Sequence, residues 1–442
     1  MTRRVLMVSP HFPPDSSAAT HRVRLLAPHL AGYGWEPTVV TVDPRDYESR
    51  LDPDLAALVP GSLRVVRCRA WPARWTRLVG FGDLGLRACT GLLRTCSNLL
   101  RRETFDALFV TIYPAYPALL GPLLKRRFGV PFVLDYQDPW VGSWGKTVGG
   151  DRGGRPDVKS RLSRWAAARL EPRVVRAADA ITAVSAETYE EVRARNPEIA
   201  RTPCLALPLG GEPMDFEWLR RTTRPNPYFD SADGQIHVCC VGTLLPLGFE
   251  TLRAVLQAVG HIRGRRPDLY SRLRLHFFGT SNQSSADAPA RVLPVAAALG
   301  VGDRVSEVPP RIRYLDALAV QTQASAILMM GSSERHYTAS KLYPGLLAAR
   351  PIVAVYHESS SVSEILRRAA RPSAARLVTY DDAARAESRV DAIATELIAV
   401  AEDPSYDPGT ADLEVMAEFS ANALAGKLAK ILDDAAGSRV PA

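Results

Sequence analysis

Ala107-Leu108-Phe109-Val110-Thr111-Ile112, an apolar helical pattern over Tyr116–Phe128, then Phe132-Val133-Leu134-Asp135-Tyr136: this stretch decides the fold. Two short, nearly unbroken apolar runs flanking one helix make a βαβ unit, and strands of that kind are buried on both faces of a parallel sheet. Outward from it the alternation repeats. Toward the N-terminus stand Val5–Ser9, a helix over Thr20–Tyr33 ended by Gly32 and Gly34, Pro37–Val42 and Leu63–Cys68; toward the C-terminus follow Ala180–Val184 and Cys204–Leu207. After a proline-bearing polar stretch a second series runs through Ile236–Val241, Leu273–Phe278, Ala326–Met330, Ile352–Tyr356 and Arg376–Thr379, with helices at Phe249–Arg263 and Val292–Leu299. The expected architecture is α/β, two facing Rossmann-like domains with parallel sheets and a ligand-binding cleft between them. The expected bounds are 1–210, a linker over 211–235, a second domain over 236–412, and a C-terminal segment over 413–442 whose helix, Leu413–Leu432, crosses back to the first domain.

Bulk composition narrows the class. A chain of 442 residues exceeds what one core usually supports, so two domains are expected, and 46% apolar with 23% charged residues is ordinary for a globular protein. No run reaches the ~18 apolar residues that a membrane span needs, and the apolar part of the N-terminus is too short for a signal peptide. The six cysteines at 68, 89, 96, 204, 239 and 240 form no paired motif, so neither zinc nor a disulfide framework is expected and a reducing, cytoplasmic setting fits. The net charge of +8 is spread along the chain and carries no interleaved aromatics, which argues against a nucleic-acid partner. On Leu86–Arg102, Cys89, Leu92, Leu93, Cys96, Leu99 and Leu100 share one face beside Arg87, Arg94, Arg101 and Arg102. That pattern suits a helix covering a sheet, and it leaves open a weak contact with the cytoplasmic face of an anionic membrane.

Several segments, in order, resemble the group 1 (family 4) glycosyltransferases. They are Val5-Leu6-Met7-Val8-Ser9-Pro10-His11-Phe12-Pro13-Pro14-Asp15 followed by Ser16-Ser17-Ala18-Ala19, Val130–Trp140 with Asp138-Pro139-Trp140, and Ala178–Ser185. In the second half they are Val241–Gly248, Ser340-Lys341-Leu342-Tyr343 and Ala349-Arg350-Pro351. The resemblance implies a GT-B fold and a hexosyltransferase-like enzyme. Its nucleotide-diphosphate sugar would be a co-substrate held by the C-terminal domain, and its small-molecule, glycan or lipid-linked acceptor would be held by the N-terminal one. Configuration would be retained, with no cofactor and no metal.

Without a metal, backbone amides and cations must stabilise the departing diphosphate. The loops Ser16–Ala19 and Gly242–Gly248 offer amides, though each also suits an ordinary strand-to-helix turn. Lys341 is the only lysine between 160 and 426 in an arginine-rich chain, and with Thr338 and Ser340 it is the candidate diphosphate grip. Gly242, Thr243, Leu244, Leu342, Arg311 and Arg313 complete the expected donor set. Asp138, Lys341 and Glu334 are the catalytic candidates. Asp15, Ser16, Ser17, His21, Arg22, Tyr113 and Trp140 are those for the acceptor.

Four positions depart from the family pattern. Thr243 and Leu247 stand where it places arginine and lysine, and His336 and Pro344 where it places a glutamate pair. Glu334 is the nearest substitute carboxylate. Asp52-Pro53-Asp54 matches a metal-binding D-x-D but lies in a polar loop, which makes it a chance match. The departures keep two rivals open: a catalytically degenerate homologue that binds a partner transferase or a ligand, and a GT-B sugar-nucleotide epimerase.

Overall fold

The computed structural model describes residues 2–79, 82–141, 158–281, 283, 285, 287–332, 340–369 and 374–437. They form two compact units: Met1–Gly210 with Ala421–Ala442, and Gly211–Ser420.

The first unit holds seven strands, β1 (Arg3–Val8), β2 (Trp35–Val42), β3 (Arg64–Cys68), β4 (Ala107–Ile112), β5 (Phe132–Tyr136), β6 (Ala180–Ala183) and β7 (Cys204–Ala206), in the order β3-β2-β1-β4-β5-β6-β7. Every pairing is parallel, with Met7 opposite both Val39 and Phe109. Alternate residues of β1 feed two cores. Leu6 and Val8 join Ala88, Leu92 and Cys96 of the helix Leu84–Arg102, whereas Val5 and Met7 join Val23, Leu26 and Leu30 on the other face. Leu424, Leu428 and Leu432 of the final helix, Ala421–Gly437, complete that second core, and Trp35 Nε1 donates to Asp433 at 2.9 Å.

The second unit repeats the plan with six parallel strands, β8 (Ile236–Val241), β9 (Leu273–Phe278), β10 (Val305–Val308), β11 (Ala326–Met330), β12 (Ile352–His357) and β13 (Ala375–Tyr380), ordered β10-β9-β8-β11-β12-β13. The helices Phe249–Arg265 and Val390–Glu402 bury Leu252, Val255, Val259, Ile393 and Leu397 on this sheet. Both sheets therefore reverse their strand order once, at β1/β4 and at β8/β11, and in doubly wound folds ligands bind outside the carboxyl ends of strands at such points.

Some expectations need correction. Residues 211–235 are no bare linker: Pro213–Thr222 is helical, and Asp215 accepts a 2.7 Å hydrogen bond from Tyr314 within the second unit. The single helix expected over Leu413–Leu432 is two, Leu413–Ala417 and Ala421–Gly437, and the second belongs to the first unit. The helix expected over Thr20–Tyr33 is α-helical only to Leu26 and then a 3-10 turn over Ala27–Tyr33, as Pro28 lacks the N–H an α-helix needs there. On Leu84–Arg102 the apolar face is occupied, with Ala88, Leu92, Cys96 and Leu99 buried against the sheet, so that face does not lie on a membrane.

Candidate functional site

In the second unit a pocket of about 400 Å³ lies at the β8/β11 switch point. Gly242, Thr243 and Leu244 follow β8, and Gly331 and Ser332 follow β11; Leu245 and Gly248 precede the seventeen-residue helix Phe249–Arg265, and all of them line the pocket. The first amides of that helix have no intrahelical acceptor, so its start is an electropositive wall. Lys341 supplies the cation. Its Nζ donates to the Thr243 carbonyl at 3.3 Å, and its stem lies over the Cα face of Gly242, which has φ +125°. Only glycine allows both that backbone and that approach. Arg291 braces the same loop: Nη1 donates to the Leu244 carbonyl at 2.8 Å, and the guanidinium sits 5.4 Å from the Phe249 ring centroid.

Gly242, Thr243, Leu244 and Lys341 are thus brought together at this pocket. Leu342 is not a contact residue, being 1% exposed in the core, and Ser340 is exposed in the preceding turn. Arg311 is held by its amide to the Gln283 carbonyl at 3.1 Å, with its Cα 3.9 Å from where a Gly279 β-carbon would stand. Arg313 is exposed at the start of the helix Tyr314–Gln323, and neither arginine lines the pocket. Glu334 and Thr338 lie outside the described residues, as do His336 and the segment 142–157.

In the first unit a second pocket, about 630 Å³, opens beyond β4 and β5. Ile112 and Tyr113, then Asp138, Pro139 and Trp140, line it together with Tyr116, Asp83 and Arg164. Tyr116 meets the edge of Trp140 with ring centroids 6.4 Å apart. Burial pushes the Asp138 carboxyl up to about 6. Asp83, exposed at the pocket's edge, caps the helix Leu84–Arg102 by accepting from the Leu86 amide at 2.9 Å. The pocket therefore offers aromatic faces and two carboxyl groups able to accept hydrogen bonds from hydroxyls.

The loop after β1 is built by Asp15. This carboxylate is fully buried and accepts from His11 Nδ1 at 2.6 Å and Thr20 Oγ1 at 3.0 Å, and from the Ser17 and Ser49 hydroxyls. Burial acts to raise its pKa, but His11, Ser17 and Ser49 more than offset that and hold it well below the usual carboxylate range. Asp15 and Ser17 are consequently spent inside the loop, and Ser16 Oγ donates to the Arg50 carbonyl at 2.6 Å. The helix that follows, Thr20–Leu26, has only seven residues, and His21 is half-buried on its first turn. Arg22 is a correction. At 1% exposure it pairs with Asp135 (Nε to Oδ2 3.1 Å) and donates from Nη1 to the Leu207 carbonyl at 2.6 Å, so it braces β5 and touches no acceptor.

Sequence reasoning singled out neither His11 nor Asp83. The His11 ring stacks on Tyr47 and lies 5.8 Å from the Tyr113 ring, which joins the β1 and β4 loops at the first switch point. An acidic residue before an apolar helix was the available signal for Asp83. His11 had only its place after a strand.

Residues 17–210 match the family model of the glycosyl transferase 4-like domain. That match spans most of the first unit and less than half of the chain. Solved structures agree on the fold of the whole chain, which is GT-B. The N-terminal domain of a Candida albicans trehalose-6-phosphate phosphatase is 12% identical, covering 98% of this chain and 97% of its own with a TM-score of 0.61. A UDP-forming trehalose-phosphate synthase from Burkholderia xenovorans is 12% identical over 98% of this chain and 99% of its own, with a TM-score of 0.57. Anabaena HepE, solved with UDP-glucose, is 13% identical over 98% of each chain, with a TM-score of 0.53. No curated protein sequence matched.

Proposed function

We propose that this GT-B glycosyltransferase moves a sugar, a hexose by resemblance, from a nucleotide-diphosphate sugar to an acceptor hydroxyl. The second unit binds the donor and the first binds the acceptor. The observation that carries the reading is the Lys341 ammonium seated on Gly242 at the second switch point, beside the start of the helix Phe249–Arg265. A cation and free amides at one place favour a diphosphate, most of all one that gains charge as its bond to the sugar breaks. HepE, a structural neighbour, was solved with UDP-glucose, which makes a UDP-sugar the first donor to try.

In the proposed reaction the bond from the anomeric carbon to the β-phosphate oxygen breaks, and the acceptor oxygen bonds to that carbon from the same face. The acceptor proton passes to the departing phosphate, so configuration is retained without a metal. Asp138 orients the acceptor by accepting a hydrogen bond from a hydroxyl, and Tyr113 and Trp140 provide faces for an acceptor ring. A cytoplasmic setting goes with this reading.

The test is a thermal shift against UDP, GDP, ADP, CMP and dTDP without magnesium, since a ligand that binds only the folded state raises the melting temperature. Stabilisation by one diphosphate supports the reading and names the donor base. Leu247, 42% exposed and uncharged, and Thr243 leave this loop without the side-chain cations that the family places there, which favours the degenerate, partner-binding homologue as a second reading. Silence with every nucleotide would select it.

A further inference from the structure

Five large apolar side chains stand out from the first unit: Trp71, Trp75 and Leu78, 59 to 79% exposed, and Leu162 and Trp165, 62 and 57% exposed. Trp71 is fixed to the first turns of the helix Leu84–Arg102, where its amide donates to the Arg87 carbonyl at 3.0 Å and its indole N–H to Thr90 Oγ1 at 3.0 Å. Asp83, at the start of that helix, forms one wall of the aromatic pocket; Ser163, Arg164 and Ala167, beside Leu162 and Trp165, form another. The Leu162–Trp165 group therefore borders the pocket assigned to the acceptor, and the Trp71 group is anchored on the helix whose start forms another wall of it.

Their charge is one-sided. Residues 69–79 contain Arg69, Arg74 and Arg77 and no carboxylate, and residues 161–170 contain Arg161, Arg164 and Arg169 and no carboxylate. Arg69 and Arg77 pair with Asp46 and Glu48, which leaves a net cationic rim. Arg74 lies 5.5 Å from the Trp75 ring centroid and Arg169 5.2 Å from that of Trp165. Tryptophan and leucine beside arginine is the combination that seats at a membrane interface, the apolar parts entering and the guanidinium meeting lipid phosphate.

We propose that this face docks on an anionic lipid bilayer, turning the aromatic pocket toward it so that the acceptor is drawn from the lipid. The second clause rests on the assignment of that pocket to the acceptor; the docking itself does not. The occupant is a bilayer because each group presents tryptophan and leucine beside arginine in excess of the carboxylates paired with it, chemistry complementary to anionic headgroups.

The full chain is sedimented with vesicles of phosphatidylcholine alone and of phosphatidylcholine mixed with phosphatidylglycerol. Binding is expected only to the mixed vesicles, weakened by added salt because the Debye length shortens. The double variants Trp75→Ser with Leu78→Ser, and Leu162→Ser with Trp165→Ser, are each expected to bind about 10-fold less. These side chains are exposed, and an unchanged melting temperature for each variant verifies its folding. Absence of binding to anionic vesicles, or binding by both variants as strong as the wild type's, overturns the proposal. So does a wild-type dimer in solution that the same substitutions dissolve, since the face would then belong to a second copy. Vesicle binding together with a chain that no nucleotide stabilises leaves the docking standing and removes the transferase reading.

Discussion

Gly242 and Lys341 share one volume: a β-carbon on Gly242 would stand 1.9 Å from Lys341 Cε and 2.1 Å from its Nζ. The glycine is thus part of the lysine's seat. Gly242→Ala is expected to displace the ammonium and weaken nucleoside-diphosphate binding about as much as Lys341→Ala does. A charged hydrogen bond of about 1.5–3 kcal/mol corresponds to a loss of about 10- to 100-fold. Calorimetric titration of both variants with the diphosphate identified by thermal shift checks this. Unchanged affinity in Lys341→Ala removes the lysine from the site.

Asp138 stores a conflict between stability and use. Its folded pKa of about 6 exceeds the ordinary carboxylate value, so ionisation opposes folding. The folded state holds the extra proton between about pH 4 and 6, so this residue's contribution to stability falls as pH rises through that window and stays unfavourable above it. Asp138→Asn is expected to raise stability at pH 7 by about 2 kcal/mol and to lower turnover. The wild-type rate should fall as pH drops below about 6, and this limb should vanish in the variant. Melting curves and a pH–rate profile measure both; a destabilised variant contradicts the burial argument.

The ion pair of Arg22 and Asp135 lies 1% and 0% exposed beneath the β5 loop. Burial lowers the arginine's pKa and raises the aspartate's, each against the pull of its partner. Removing one partner strands the other, so Arg22→Met or Asp135→Leu alone is expected to cost about 3–5 kcal/mol, and the double variant much less. Urea titrations of the three variants give the comparison, and additive losses would mean the two charges are not coupled.

Asp15 acts in the opposite sense to Asp138. Its folded pKa is depressed, so it stabilises above the unfolded value near ~3.9, and that stability is lost as pH falls below it. Asp15→Asn is expected to melt lower at pH 7 and to show a shallower acid limb between about pH 4 and 2, followed by circular dichroism. It should also release His11, visible as a displaced imidazole resonance by NMR.

How much of this was legible follows from what each element asks of its residues. Ala107–Ile112, Phe132–Tyr136, Ile236–Val241, Leu273–Phe278 and Ala326–Met330 were found residue for residue, since a parallel strand covered on both faces reads as a near-continuous apolar run. Strand β10 was missed: Val305-Ser306-Glu307-Val308 is a half-exposed edge, and Glu307 faces the amides of Arg291, Val292 and Leu293, which it caps at 2.9–3.1 Å. Lys341 was legible because lysine is rare in this chain. Arg22 was misread because a buried arginine looks like any other until Asp135 is seen opposite it. His11 and Asp83 needed the tertiary structure, for Tyr113 beside His11 and Asp138 in the pocket that Asp83 lines lie far along the sequence.

Leu424, Leu428 and Leu432 come from the far end of the chain, yet they fill the core beside β1. On the ribosome, the strands of the first domain emerge while the helix that seals one face is still untranslated by more than two hundred codons. Until that helix arrives, Val5, Met7, Val23 and Leu30 have no cover on that side. The domain begun first is completed last, and a nascent chain would need shielding from aggregation throughout the synthesis of its neighbour.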